Sequence, residues 1–262
     1  MSAQKIYKQL FAKQHNLIEK LKKELDNNRN EYPSDLVTEI IEKKEETIPY
    51  LLEMLKTFIK ERPRNWDVTE WIGGILAAFI LAKCKEQQAF PLLIELCSLP
   101  YEVIDDLMGG LITENLSMLL ASTFNGDLKA LYDVITNQYL ETHVRDAALR
   151  SHLILYRYNV LSREQFIDIL HQLFKELTND FSLVPTILVD ITSTIKAVEL
   201  LPYIEFYFEY WLVDLEYLDL DWVKTEFNKT DEQSRFDLET DSFVDCVHNI
   251  KKDLQWVFSK QD

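Results

Sequence analysis

Residues 141–150 read Glu-Thr-His-Val-Arg-Asp-Ala-Ala-Leu-Arg, and this stretch decides the fold. Val144, Ala147 and Ala148 fall at i, i+3 and i+4, so they share one face of a helix. The two alanines add so little bulk that a neighbouring helix can come close. Such a helix reads as the second member of an antiparallel pair. The first-member type is Ala89-Phe90-Pro91-Leu92-Leu93-Ile94-Glu95-Leu96, with proline in the first turn, where its missing N–H costs nothing. Residues 71–82 carry a comparable small pair, Ala77-Ala78.

Working outward, first helices begin near Ile48, Ala89, Asp127, Ser162 and Ala197, at steps of 41, 38, 35 and 35 residues. Those steps lie in the range of two-helix solenoid units. A 3.6-residue hydrophobic period runs end to end, and two-residue alternation is nearly absent. The sequence therefore predicts an all-α fold, an α-α superhelix of antiparallel helix pairs with N- and C-terminal capping helices. Residues 1–45 form the N-terminal helical segment, with one helix over 2–28 and a second stretch from Ser34 to Lys44. Residues 46–215 form the stack and 216–262 an acidic, aromatic C-terminal cap, all in one continuous domain. Within that cap, Asn228 to Leu238 reads as a polar mobile loop. Ser242 to Phe258 reads as a last helix striped by Phe243, Val247, Ile250, Leu254 and Val257.

The Val-Arg-x-Ala-Ala-Leu string at 144–149 resembles the second helix of a HEAT repeat, which implies a right-handed stack. A wider match covers roughly 45–227. Its blocks are Ser98-Leu99-Pro100, Gly110-Leu111-Ile112-Thr113-Glu114-Asn115-Leu116, Leu119-Leu120-Ala121 and Gly126-Asp127. Residues 139–149, Trp211-Leu212-Val213-Asp214 and Leu218-Asp219 continue it. In this order they resemble the bacterial family known as domain of unknown function 1186. The resemblance implies a HEAT-like helical protein and brings no activity with it. Gly109-Gly110 and Trp211-Leu212 stand where relatives are expected to have Gly-Asp and Gly-Leu. Some members carry a Cys/His-rich zinc-binding tail; here the C-terminus offers only Cys246 and His248.

Composition narrows the function classes. Of 262 residues 47% are apolar and 27% charged, with 5 Gly and 7 Pro, which suits long helices around a real core. The net charge of −16 disfavours nucleic acid and anionic membranes as partners. The excess is lopsided: residues 1–60 hold 11 basic and 10 acidic side chains, the remainder 17 and 34. No run is apolar and long enough to span a bilayer. No signal-peptide pattern opens the chain, and three widely spaced cysteines (Cys84, Cys97, Cys246) suit a reducing compartment. The expected location is cytoplasmic, with signal-independent secretion left open.

The most site-like cluster is Asp105, Asp106, Gly109, Gly110, Thr113 and Glu114. It reads either as a carboxylate-lined turn for a hard cation or acid–base work, or as a glycine turn before a helix capped by Thr113. Glu141 and Arg145, four apart, read either as a groove-facing grip on a partner's carboxylate or as a structural tie. Asp67, Trp71, Asp106, Glu114, Glu141 and Arg145 make up the candidate groove set; Trp66, Trp71 and Trp222 are candidate anchors or core. The five histidines lack metal-ligand spacing, and nucleophile and phosphate-loop motifs are missing. Catalytic, cofactor and metal residues are therefore assigned to none. The expected function is a non-enzymatic interaction scaffold whose concave surface takes a basic protein or peptide. The alternative is an enzyme or a small-molecule or metal binder using Asp105, Asp106 and Glu114.

Overall fold

The structure, a computed structural model, describes residues 17–28, 30–61 and 68–259. All regular structure among them is helical. Helix α1 is described over 17–27, and α2 (Ser34–Glu42), α3 (Lys44–Glu61) and α4 (Val68–Lys83) follow. Then come α5 (Phe90–Cys97), α6 (Tyr101–Met108), α7 (Leu111–Glu114) and α8 (Leu116–Thr123). The next four are α9 (Leu128–Thr136), α10 (Thr142–Arg157), α11 (Arg163–Glu176) and α12 (Val184–Thr194). The last are α13 (Leu201–Glu209), α14 (Leu220–Asn228), α15 (Asp231–Thr240) and α16 (Ile250–Asp253). The part of the expected first helix before residue 17 lies outside the described residues.

Local chemistry places the starts. Asp127 accepts from the Ala130 N–H, and Ser162 forms a reciprocal capping box with Gln165, so two orphan N–H groups are satisfied at once. Pro91, Pro185 and Pro202 each sit at the first helical turn of a pair member. The five predicted starts fall within four residues of α3, α5, α9, α11 and α13.

Packing sorts the helices into two layers. α3 pairs with α4, α5 with α8, α9 with α10 and α11 with α12, while α4, α8, α10, α12 and α14 lie side by side in that order. This is the α-α superhelix that the periodicity predicts. α4 and α3 meet closely because Gly74 has no side chain: a Cβ there would stand 2.4 Å from the Phe58 ring. α4 is buried from Ile72 to Ala82 and α8 along its whole length, because neighbours cover both of their sides.

The second member of the α5 pair is broken into α6, α7 and α8. Gly109 takes φ 47° and ψ −129°, a conformation closed to residues with a Cβ. Thr113 does not cap a helix start; it lies inside α7 and its hydroxyl donates back to the Gly110 carbonyl at 3.0 Å. Four other helices end on a non-glycine residue in the left-handed region: Lys85, Asn159, Lys196 and Trp211. In each case the following N–H returns to a carbonyl five residues earlier, as in the bond from Leu212 to Tyr207 at 2.9 Å.

The C-terminal segment departs from expectation twice. Residues 231–240 are helical, capped by Thr230, and not a loop. Conversely, residues 241–249 are not helical, and only Ile250–Asp253 of the expected last helix forms α16. Tertiary bonds override the helical period here. Arg157 collects the carbonyls of Glu239, Asp241 and Val244, the Ser122 hydroxyl takes the Val247 N–H at 2.9 Å, and Lys83 holds the His248 carbonyl at 2.7 Å. Residues 241–258 thus form a strap running back past α10, α8 and α4, until Phe258 meets Tyr32 edge-on at 5.5 Å. Only α14 and α15 lie where an end cap was expected.

Candidate functional site

The candidate groove residues separate when placed on the fold. Asp67 lies outside the described residues, as does Trp66. Trp71 stands half-buried in the first turn of α4 and donates its indole N–H to the Leu107 carbonyl at 2.8 Å, tying α4 to the end of α6. Asp105, Asp106 and Glu114 are exposed, on α6 and α7, and among the described residues their side chains make no hydrogen bond or ion pair. Trp222 is half-buried on α14.

Glu141 and Arg145 do not pair with each other. Glu141 caps α10, accepting from the Val144 N–H at 2.9 Å. Arg145 is 1% exposed, so it offers nothing to a partner. Its Nε donates to the Ile135 carbonyl at 2.8 Å, one Nη donates to Ser182 at 3.2 Å, and the other pairs with Asp180. The guanidinium therefore bolts the α9–α10 pair to the α11–α12 turn. Burial would raise the Asp180 carboxyl, but the hydrogen bonds from Arg145 and Ser182 win and hold it below the usual range.

A different cluster lies in the layer formed by α4, α8, α10, α12 and α14, here called the inner layer. Asp146 and Arg150 lie one turn apart on α10 and bond at 2.8 Å; Arg150 also reaches Asp190 of α12 at 3.8 Å and the Tyr217 hydroxyl at 3.2 Å. Burial raises the Asp190 carboxyl to about 6; Arg150 pulls it down, and Asp146, Glu226 and Asp241 push it up again. Burial likewise raises Asp146 against the pull of Arg150. Beside this cluster, Lys229 bridges Glu226 at 2.6 Å and Asp237 at 2.8 Å, and Lys196 bonds the Lys229 carbonyl and Asp231. Sequence reasoning passed over these groups although a signal existed. Asp190 is the lone charge in the apolar run Val184–Thr194.

All four arginines between Thr142 and Lys196 are turned onto the chain itself. Arg145 and Arg150 bind carboxylates, Arg157 binds strap carbonyls, and Arg163 holds the Ile195 and Lys196 carbonyls together with Glu199. The carboxylates beyond them face outward. From Ala197 to Val223 there are seven acidic side chains and no Lys or Arg, and Glu205, Glu209, Asp214, Glu216, Asp219 and Asp221 are exposed.

Nucleophile and metal chemistry finds little footing among the described residues. Burial raises the thiols of Cys97 and Cys246, and that of half-buried Cys84, away from the reactive thiolate. His152 is fully buried and held down to about 4 by burial, hence neutral. Among the described residues no group of three or more His, Cys, Asp or Glu side chains is placed to hold a metal ion, and no helix is long and apolar enough to cross a membrane.

Comparison with known proteins agrees with the resemblance in the sequence. The profile of a family described as Protein of unknown function (DUF1186) matches residues 15–261. An uncharacterized protein of Chlamydia trachomatis serovar D is 31% identical over 147 residues, covering 56% of this chain and 57% of the relative. A Chlamydia muridarum protein is 30% identical over the same length. The alignment thus spans little over half the length of these curated relatives. No solved structure matches the chain.

Proposed function

This chain belongs to the bacterial family described as Protein of unknown function (DUF1186), and we propose that it is a non-enzymatic interaction scaffold whose acidic surface takes a basic protein or peptide. One observation carries the reading: the arginines of the central stack are spent on internal ties, while the carboxylates that follow them point to solvent. The uncompensated negative charge is therefore concentrated on the surface from Ala197 to Val223, where seven acidic side chains stand without a Lys or Arg.

The pairing of helices in the superhelix supports the same view, because a stack of helix pairs gives an extended surface whose function depends on the side chains it carries. On the inner layer the usable stretch is that of α10, α12 and α14, where Asp146, Arg150 and Asp190 keep partial exposure; α4 and α8 are covered. Three free thiols fit work in a reducing cytoplasm.

The test is a calorimetric titration with an oligo-arginine peptide and, separately, an oligo-glutamate peptide, at low and at physiological salt. The scaffold reading expects oligo-arginine binding that weakens as salt rises, and none for oligo-glutamate. Equal binding of both peptides, or none by either at low salt, would defeat it.

A further inference from the structure

Exposed aromatic side chains recur in three turns of the C-terminal half: Tyr139 before α10, Phe181 before α12, and Trp211 after α13, at 98%, 81% and 77% exposure. Around Trp211 the exposure becomes a patch. Phe206 on the last turn of α13 and Tyr210 at its C-cap stack with ring centroids 4.3 Å apart, and Leu215 and Leu220 on the far side of the turn are exposed as well. Their neighbours Tyr207, Leu212, Val213 and Leu218 are buried, and the Asp214 N–H is bonded to the Thr186 hydroxyl at 2.9 Å. This is a fixed turn that displays apolar groups.

Trp211 also stands at a helix terminus in the left-handed backbone region, at φ 57°. Two of the other residues in that situation have an account: Asn159 belongs to a type that tolerates the conformation, and Lys196 anchors α15 through Asp231. Lys85 is exposed as well, but it carries a charge that water solvates, whereas Trp211 leaves an aromatic surface in water. Trp211 adopts a strained conformation and buries almost nothing in return. An indole kept there is explained by something that covers it.

We propose that the end of α13 and the turn into α14 form the docking surface for a lysine- and arginine-rich segment of a protein partner, an inference that rests on the scaffold reading. Aromatic faces ringed by carboxylates suit cations doubly: the ring attracts the charge through its π face and the carboxylates pair with it. Glu209, Asp214 and Glu216 flank the exposed rings without a single Lys or Arg between Ala197 and Val223. A second copy of this chain is the wrong occupant, since a two-fold contact would set these carboxylates against themselves.

The experiment measures fluorescence anisotropy of a labelled oligo-arginine peptide against the full chain, Trp211→Gly and Phe181→Ser. Both substitutions leave the charge unchanged, and thermal melts confirm that each variant is folded. The docking surface requires Trp211→Gly to weaken binding about tenfold while Phe181→Ser binds as the parent does. Should Trp211→Gly bind like the parent, or both variants weaken alike, this surface is wrong while the scaffold reading stands. If the parent binds no peptide at low salt, both readings fail. A concentration-dependent dimer that Trp211→Gly abolishes would assign the patch to self-association and overturn the proposal.

Discussion

The two halves of the stack are held together by different physics. From α3 to α8 the inner layer is nearly free of charge, and Gly74, Ala77 and Ala78 let apolar helices pack at short range. From α10 to α14 the same layer is threaded with ion pairs, Arg145 with Asp180 and Arg150 with Asp146 and Asp190. Apolar packing is tolerant of partner identity but not of volume. Buried ion pairs are tolerant of neither, since removing one partner strands the other in a medium that cannot solvate it. The half that carries charge inside also displays the most exposed aromatic rings and the stretch from Ala197 to Val223, whose charges are all acidic.

The sharpest way to break this contrast is Arg145→Ala. It strands the Asp180 carboxylate and should cost about 3–5 kcal/mol in urea unfolding. A loss under 1 kcal/mol would mean that the pair is not what ties the units. Gly74→Ala tests the other half. It places a methyl against the Phe58 ring and should cost about 1–3 kcal/mol, recovered in part by Phe58→Leu. No loss in the single variant would mean that the α3–α4 contact has slack.

Acid titration sharpens the comparison next. Asp190 has a folded value raised to about 6, above its unfolded value, so ionising it destabilises the native state as pH rises from about 4 to about 6. His152 is opposite in sign: held down to about 4, it must stay neutral, and its share of stability is lost as pH falls from about 6.5 to about 4. The two slopes oppose each other in one window. Arg150 keeps its nearer partner Asp146 at 2.8 Å, so Asp190→Asn strands no charge; it should raise stability at neutral pH by about 1–2 kcal/mol and expose the histidine slope. If the pH profile of that variant matches the parent's, Asp190 does not titrate as stated. The smallest effect is Trp211→Gly, which relieves the left-handed strain and should stabilise by about 1 kcal/mol, read as a raised Tm. A lowered Tm would show that the indole packs after all.

Much of the fold was readable because helix signals are local. Pro91, Asp127 and Ser162 mark starts through their own nearest N–H groups, and the Val144-Ala147-Ala148 face repeats within one turn. The site was less readable. Glu141 and Arg145 stand at the spacing of a helical ion pair, yet Glu141 caps the helix and Arg145 reaches an aspartate 35 residues away. Asp105, Asp106 and Glu114 look like a site in sequence but lie along an exposed face without mutual bonds. The strap was misread for the same reason. Its apolar residues recur near a helical period, but Arg157 and Ser122 supply its backbone with partners that no local rule contains.

The residue order by itself determined that this chain forms helices, where the first members of the pairs begin, and that they pile up in pairs. Period and capping depend on groups within about four residues of one another. Only the tertiary structure decided which charges are buried, which way the C-terminal segment runs, and which carboxylates and rings are left facing outward. Those outcomes depend on contacts between residues that only the finished stack brings together, and on how much water is left around each.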